Sequence, residues 1–187
     1  MSTWVALLRG INVGGANRLP MAELRDELSG LGLEDVTTYI ASGNVVFGAD
    51  DDPDVDRTAV LADRIGATIE AHHGFRPRVL VLSAGRLRES MEANPFPEAE
   101  AEPKTLHLYF LAEQPADVDA SAFEAAAGPT ERWELGDRVL YLHTPDGFGR
   151  SKLAARVESL LDVPATARNW RTVTRVWELA AARHPDG

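Results

Sequence analysis

Apolar residues along this chain fall into short continuous runs and into helical stripes, and the two kinds of segment alternate in an order that recurs. Trp4-Val5-Ala6-Leu7-Leu8 is a continuous apolar run closed by Arg9-Gly10, which predicts a strand covered on both faces and central in its sheet. A glycine-rich loop, residues 10–17, leads to Pro20, a residue suited to a helix's first turn. Met21, Leu24, Leu28 and Leu31 then recur at helical spacing until Gly30 and Gly32 stop the helix. Residues 36–40 and 45–47 are β-rich and separated by Ser42-Gly43-Asn44, which reads as a hairpin turn. An acidic stretch from Asp50 to Asp56 opens a second helix with Leu61, Ile65 and Ile69 on one face. Residues 78–82 form a strand, and a short helix with Leu87 and Met91 follows.

Residues 94–103, rich in proline and carboxylates, disfavour regular structure and mark the expected linker between residues 1–93 and residues 104–187. Beyond it the order of elements recurs: a strand at 105–111, a helix at about 117–127, two strands around Gly136-Asp137, a helix at 151–161, a short extended piece and a final helix. Leu61-Ala62-Asp63-Arg64-Ile65 also lies over Leu153-Ala154-Ala155-Arg156-Val157 when the halves are superimposed. The expected fold is therefore α+β, a tandem duplication of two ferredoxin-like β-α-β-β-α-β halves, each followed by a helix.

Composition narrows the classes of function. The 187 residues contain no cysteine, which excludes disulfides, thiolate catalysis and cysteine-bound metal clusters. A hydrophobic share of 44% and a charged share of 26% match an ordinary soluble domain, and no apolar run approaches the ~18 residues of a membrane helix. The opening Met1-Ser2-Thr3-Trp4 lacks the basic stretch of a secretion signal, so a cytoplasmic address is expected. The net charge of −10 argues against nonspecific attraction to nucleic acid. The charge is segregated, however: residues 150–183 hold seven basic and three acidic side chains, and such a region can focus an anion on an acidic protein.

Four segments could carry chemistry. In the loop after the first strand, Gly10, Asn12, Gly14, Gly15 and Asn17 permit positive φ, so that successive amides can form an anion-holding nest beside Arg9 and Arg18. Its glycines fit neither a Walker loop nor the dinucleotide fingerprint, and a plain turn is the competing reading. Ser42 and Asn44 of the hairpin can face that loop, or merely satisfy a tight turn. Toward the C-terminus, Ser151 is placed to cap a helix whose amides, with Arg150 and Lys152, would attract an anion; a flexible loop with a good cap is the alternative. In the last block, Val173, Val176, Trp177 and Ala180 make an apolar stripe, Arg171 and Arg175 lie on another face, and Arg168 and Asn169 stand just before.

The motifs point to no metal and no cofactor. His72-His73 are adjacent rather than four apart, with no third ligand beside them in sequence, and read as a frayed helix end. Asp52, Asp54 and Asp56 alternate like a calcium loop, but Arg57 stands where that loop needs glycine, so they read as helix-start acids. His107 and His143 fall on strands without a nucleophile motif and read as structural.

The block from Val5 to Gly15, the Tyr39 to Phe47 segment, Asn94-Pro95-Phe96, Ser151-Lys152-Leu153, and Thr166 with Arg168-Asn169-Trp170 together resemble the bacterial domain-of-unknown-function 1697 family over nearly the whole chain. The resemblance implies a duplicated α+β protein with ferredoxin-like halves and implies no activity or catalytic residue. Ala41 and Arg171 depart from the family pattern, which more often carries glutamine and asparagine there. The functional expectation is a small cytoplasmic binding protein for an anionic ligand, a nucleotide or phosphorylated metabolite. Arg9, Asn12, Gly14 and Gly15 would form its nest and Arg168 and Asn169 its wall. Single-stranded nucleic-acid binding on Tyr109, Trp133 and Tyr141, a metal-independent enzyme, and a protein-interaction module are the alternatives.

Overall fold

The computed structural model describes residues 1–50 and 56–183, so Asp52 and Asp54 of the acidic stretch lie outside the described residues. The fold is α+β, with two four-stranded antiparallel sheets and six α-helices among the described residues. The chain divides into two compact units, Met1–Arg88 with Arg175–Gly187, and Glu89–Thr174.

The first unit holds β1 (Ser2–Arg9), α1 (Met21–Gly30), β2 (Glu34–Tyr39), β3 (Asn44–Ala49), α2 (Arg57–His73) and β4 (Arg78–Ser83), in sheet order β2-β3-β1-β4. Alternate residues of the strands, Trp4, Ala6 and Leu8 with Val45, Phe47 and Val81, pack against Leu24 and Leu28 of α1 and Leu61, Ile65 and Ile69 of α2. The intervening residues Val5, Leu7 and Val46 are buried too. Burial on both faces is why β1 reads as an unbroken apolar run: each such side chain contributes roughly 1.5–3 kcal/mol on leaving water.

The helix ends obey local rules. Asp56 caps α2 by accepting from the Ala59 amide, and Gly74, at φ +75°, closes it. After α1 the Leu33 amide bonds Leu28 O and the Gly32 amide bonds Ser29 O, with Gly32 at φ +85°, a Schellman closure. Pro20 stands just before α1 with extended backbone, one position earlier than the first turn.

The helix α3 (Ala84–Glu92) follows β4. The second unit contains β5 (Leu106–Leu111), α4 (Ala120–Ala126), β6 (Arg132–Leu135), β7 (Val139–His143), α5 (Val157–Leu161) and β8 (Ala165–Asn169), in order β6-β7-β5-β8. The helix α6 (Trp170–Ala181) completes the described elements. Tyr109, Leu111, Leu140, Leu142 and Ala165 form a core with Phe123 of α4 and Val157 and Leu161 of α5.

Three sequence expectations change here. The segment 94–103 is ordered: it contains a 3₁₀ turn, Pro97–Ala101, and buries Phe96 and Ala99. The extended piece before the last helix is a full strand, β8, paired with β5. The helix expected at 151–161 begins only at Val157. Ser151 Oγ accepts from the Ala154 amide, the Arg156 amide turns back to Leu153 O, and the Tyr109 hydroxyl occupies Ala154 O, which a continuous helix would have used itself. Ser151 thus caps a turn, and Lys152 does not flank a helix terminus.

Candidate functional site

The register of the first sheet decides what the glycine loop meets. Leu7 of β1 stands opposite Asn44, the first residue of β3, so the β2–β3 connection lies at the same end of the sheet as the glycine loop. Leu8 N donates to Gly43 O at 2.7 Å, and Gly43, at φ +85°, lets the two chains touch. Arg9, Asn12, Gly14, Gly15, Asn17, Ser42 and Asn44 are therefore gathered at one end of one sheet.

The loop itself is a miniature hairpin. Val13 bridges Ala16, the Ala16 amide donates to Val13 O and the Asn12 amide to Asn17 O. The two central residues, Gly14 and Gly15, have φ of +59° and +79°, the sign pattern of a type I′ turn, and nothing lies within 4 Å of where their β-carbons would stand. Asn12 and Asn17 also adopt left-handed φ, which their short polar side chains tolerate.

Those asparagines hold the loop's own backbone. Asn12 Nδ2 donates to Leu19 O at 2.9 Å and to Ala41 O at 2.8 Å, while its Oδ1 accepts from the Leu19 amide at 2.8 Å. One side chain therefore clamps the glycine loop to the entry of α1 and to the β2–β3 connection. Asn17 Nδ2 closes the loop on Gly10 O, and the buried Asn44 donates to Tyr39 O and Ser42 Oγ. The amide side chains are thus committed to the loop's own backbone, and exposed cations stand beside it.

Those cations include one the sequence did not single out. Arg9 pairs in register with Arg78, so two guanidinium side chains leave adjacent strands directly opposite each other, both exposed, with exposed Arg18 at the other end of the loop. Arg78 is visible in the sequence as the first residue of a strand; only the pairing register makes it a neighbour of Arg9.

An Asn12→Ala chain is expected to lose about 2 kcal/mol of stability, since three hydrogen bonds of roughly 0.5–1.5 kcal/mol each disappear. Asn17→Ala, losing one such bond, is expected to cost about 1. Urea melts of both variants check the clamp: equal losses would show that Asn12 does not tie the three segments together.

In the second unit, β8 carries Arg168 and Asn169. Asn169 Oδ1 accepts from the Thr172 amide at 2.9 Å and so caps α6. Arg168 donates to Ala167 O, and burial pulls its guanidinium down to about 10. Lys152 is exposed on the turn after Ser151. In α6 the expected stripe is buried at Val173, Val176 and Ala180, and Arg175 pairs with Glu178 on the exposed side.

The strand aromatics do not form a stacking platform. Tyr109 and Tyr141 are buried, their hydroxyls donating to Ala154 O and Ser90 O, and Trp133 packs on Phe123 with ring centres 4.4 Å apart. Interior packing of the apolar rings outcompeted exposure, so the base-stacking expectation for these residues is corrected.

The histidines find partners that sequence spacing does not show. His72 Nδ1 lies 2.8 Å from Thr68 O, and His73 Nε2 lies 2.8 Å from Glu27 Oε1, so this helix end is held rather than frayed. His107 stacks on Phe148 with ring centres 3.7 Å apart. His143 Nδ1 lies 3.1 Å from Arg132, which also pairs with Glu98 and sits over the Phe96 ring; burial first, then the Arg132 charge, lower its pKa. Among the described residues no helix is long and apolar enough to cross a membrane.

A family model described as "Protein of unknown function (DUF1697)" matches residues 1–141. Among solved structures, the conserved bacterial protein SP0830 from Streptococcus pneumoniae is similar at 26% identity and a TM-score of 0.72, over 96% of this chain and 98% of that one. No curated protein matches the chain.

Proposed function

For a chain that belongs to the DUF1697 family of proteins of unknown function, whose description assigns no activity, we propose a role as a small cytoplasmic protein that binds an anionic ligand at the glycine loop of its first unit. The ligand class is a phosphate-bearing small molecule. The observation that carries the reading is the placement of Arg9 opposite Arg78 at the root of a loop already held in shape by Asn12 and Asn17. A preordered loop loses little conformational entropy on binding, and outward-turned glycines let an anion approach the backbone closely. Arg168 and Asn169 are not needed for this reading.

The same strand order in both sheets supports reading the chain as a duplication of ferredoxin-like units. Leu61 and Ile65, and the residues that sequence superposition sets over them, Leu153 and Val157, are all fully buried, the first pair in the core of the first unit and the second pair in that of the second.

Thermal melts with inorganic phosphate, pyrophosphate and ATP test the proposal. At least one is expected to raise the melting temperature of the wild-type chain, and the Arg9→Gln/Arg78→Gln double variant is expected to lose that shift, read against its own ligand-free melting temperature. No shift with any of the three anions, or a shift kept in the double variant, overturns it.

A second reading, a protein-interaction module, is favoured by one observation. Val13 and Ile40, 69% and 51% exposed, crown the two segments that Asn12 joins, and Ile40 holds a left-handed φ of +49° that β-branched residues avoid. A partner contacting this tip would be lost on Val13→Ser/Ile40→Ser, whereas phosphate binding would survive.

A further inference from the structure

We propose that Glu23 and Glu27 of α1 and His73 at the end of α2 form a binding site for one divalent transition-metal ion of the zinc type. This site is separate from the glycine loop and goes beyond the anion-binding reading.

The ligand atoms come from two helices. One oxygen from each carboxylate and one ring nitrogen of His73 all lie within 4.8 Å of one another. The spacing of Glu23 and Glu27, four residues apart, puts both on one face of α1. His73 is set by the left-handed Gly74, which ends α2 directly after it, and the last carbonyls of a helix favour a nearby cation. A zinc ion with bonds of about 2.0–2.2 Å holds its ligand atoms ~3.3–3.5 Å apart. His73 Nε2 and Glu27 Oε1, at 2.8 Å, are already closer than that, and Glu23 is the exposed member, whose side chain can turn inward.

Glu27 supplies a second observation. Its Oε1 faces His73, but its Oε2 is sealed from solvent with no hydrogen-bond donor. A carboxylate oxygen removed from water and left unpartnered is destabilising, and a cation coordinated there would relieve that cost. The like-charged Glu23 four residues away adds repulsion that the same cation would reverse. His72 cannot stand in for His73, because its Nδ1 is turned back on Thr68 O of its own helix.

An imidazole with two carboxylates suits zinc better than magnesium, which prefers oxygen donors and retains its waters. Three protein ligands leave the fourth tetrahedral position for water. The ion would tie α1 to α2 as a structural staple.

The full-length, tag-free chain, stripped with EDTA, is titrated with zinc chloride by calorimetry and melted with and without the metal. One zinc per chain and a raised melting temperature are expected, with magnesium at least about tenfold weaker. Removing a ligand should weaken binding by more than the roughly 10–100-fold known for outer-shell partners. Glu23→Gln is the decisive variant, because the side chain is exposed and glutamine keeps its shape while removing the charge. His73→Gln should bind equally poorly, and His72→Gln should bind as the wild type does. Absence of saturable zinc binding, wild-type affinity in Glu23→Gln, or a loss in His72→Gln as large as in His73→Gln overturns the proposal.

Discussion

A Gly43→Ala chain is expected to be about 4 kcal/mol less stable than the wild type. A β-carbon at Gly43 would stand 2.6 Å from Leu8 Cβ and 2.8 Å from Ile11 Cδ1, and both of those side chains are buried. Leu8 Cβ cannot swing away, because it is fixed directly to the backbone of the central strand, and Ile11 Cδ1 can turn aside only by repacking within the core. Overpacking of this kind costs roughly 1–3 kcal/mol, and holding a non-glycine residue at φ +85° adds about 1–2 more. Set against a typical total stability of 5–15 kcal/mol, the loss would be visible as a large drop in urea midpoint. Gly15→Ala is the control. Its φ is +79° but its β-carbon would meet open space, so the backbone cost of about 1–2 kcal/mol should stand alone. Equal losses in the two variants would show that the close approach of the connection to β1 is not what Gly43 provides. The same substitution should also abolish any phosphate-induced shift, since it pushes the connection off the loop that Asn12 clamps.

The second large effect is a loss of stability in acid centred on His107. Burial lowers its pKa from 6.5 to about 4, its Nδ1 is sealed without a partner, and its ring stacks on Phe148. Between pH 6.5 and about 4 the unfolded chain binds a proton at this residue that the folded chain refuses, so stability is full above pH 6.5 and falls as pH drops toward 4. The depression corresponds to about 3 kcal/mol across that window. His107→Phe keeps an aromatic ring on Phe148 and removes the titration. Urea melts at pH 7.5 and pH 4 should then show the wild type losing about 3 kcal/mol more than the variant. Parallel losses would assign the acid sensitivity to carboxylates elsewhere in the chain.

Gly43 illustrates how unevenly the candidate site is legible in the sequence. Gly43 was visible as a turn glycine, but its need to be glycine comes half from Leu8 and Ile11, 35 and 32 residues away. Asn12, Asn17 and Asn44 were visible as polar residues beside turns, a composition that suits ligand contact and backbone support equally well. Their side chains bond Leu19, Ala41, Gly10 and Tyr39, which is backbone support. Arg78 carried no signal of its own, because a cation at a strand start is commonplace until register sets it beside Arg9. His73 carries no signal of its partner in the sequence, since adjacency to His72 says nothing about a carboxylate on another helix.

Secondary structure, by contrast, was set by near neighbours. The unbroken apolar run at Trp4–Leu8 made β1 central, the 3.6-residue recurrence of Leu61, Ile65 and Ile69 made α2, and Asp56 and Asp119 capped their helices from one side-chain oxygen each. Where a local helix preference met a distant competitor the competitor prevailed, as when the Tyr109 hydroxyl took Ala154 O and delayed α5. Periodicity and capping act over three or four residues, so the chain's own order suffices to specify them. Which polar groups are consumed and which face outward depends on strand register and on contacts such as Asn12 with Ala41 and Glu27 with His73, spanning 29 and 46 residues, and those exist only once the sheet has closed.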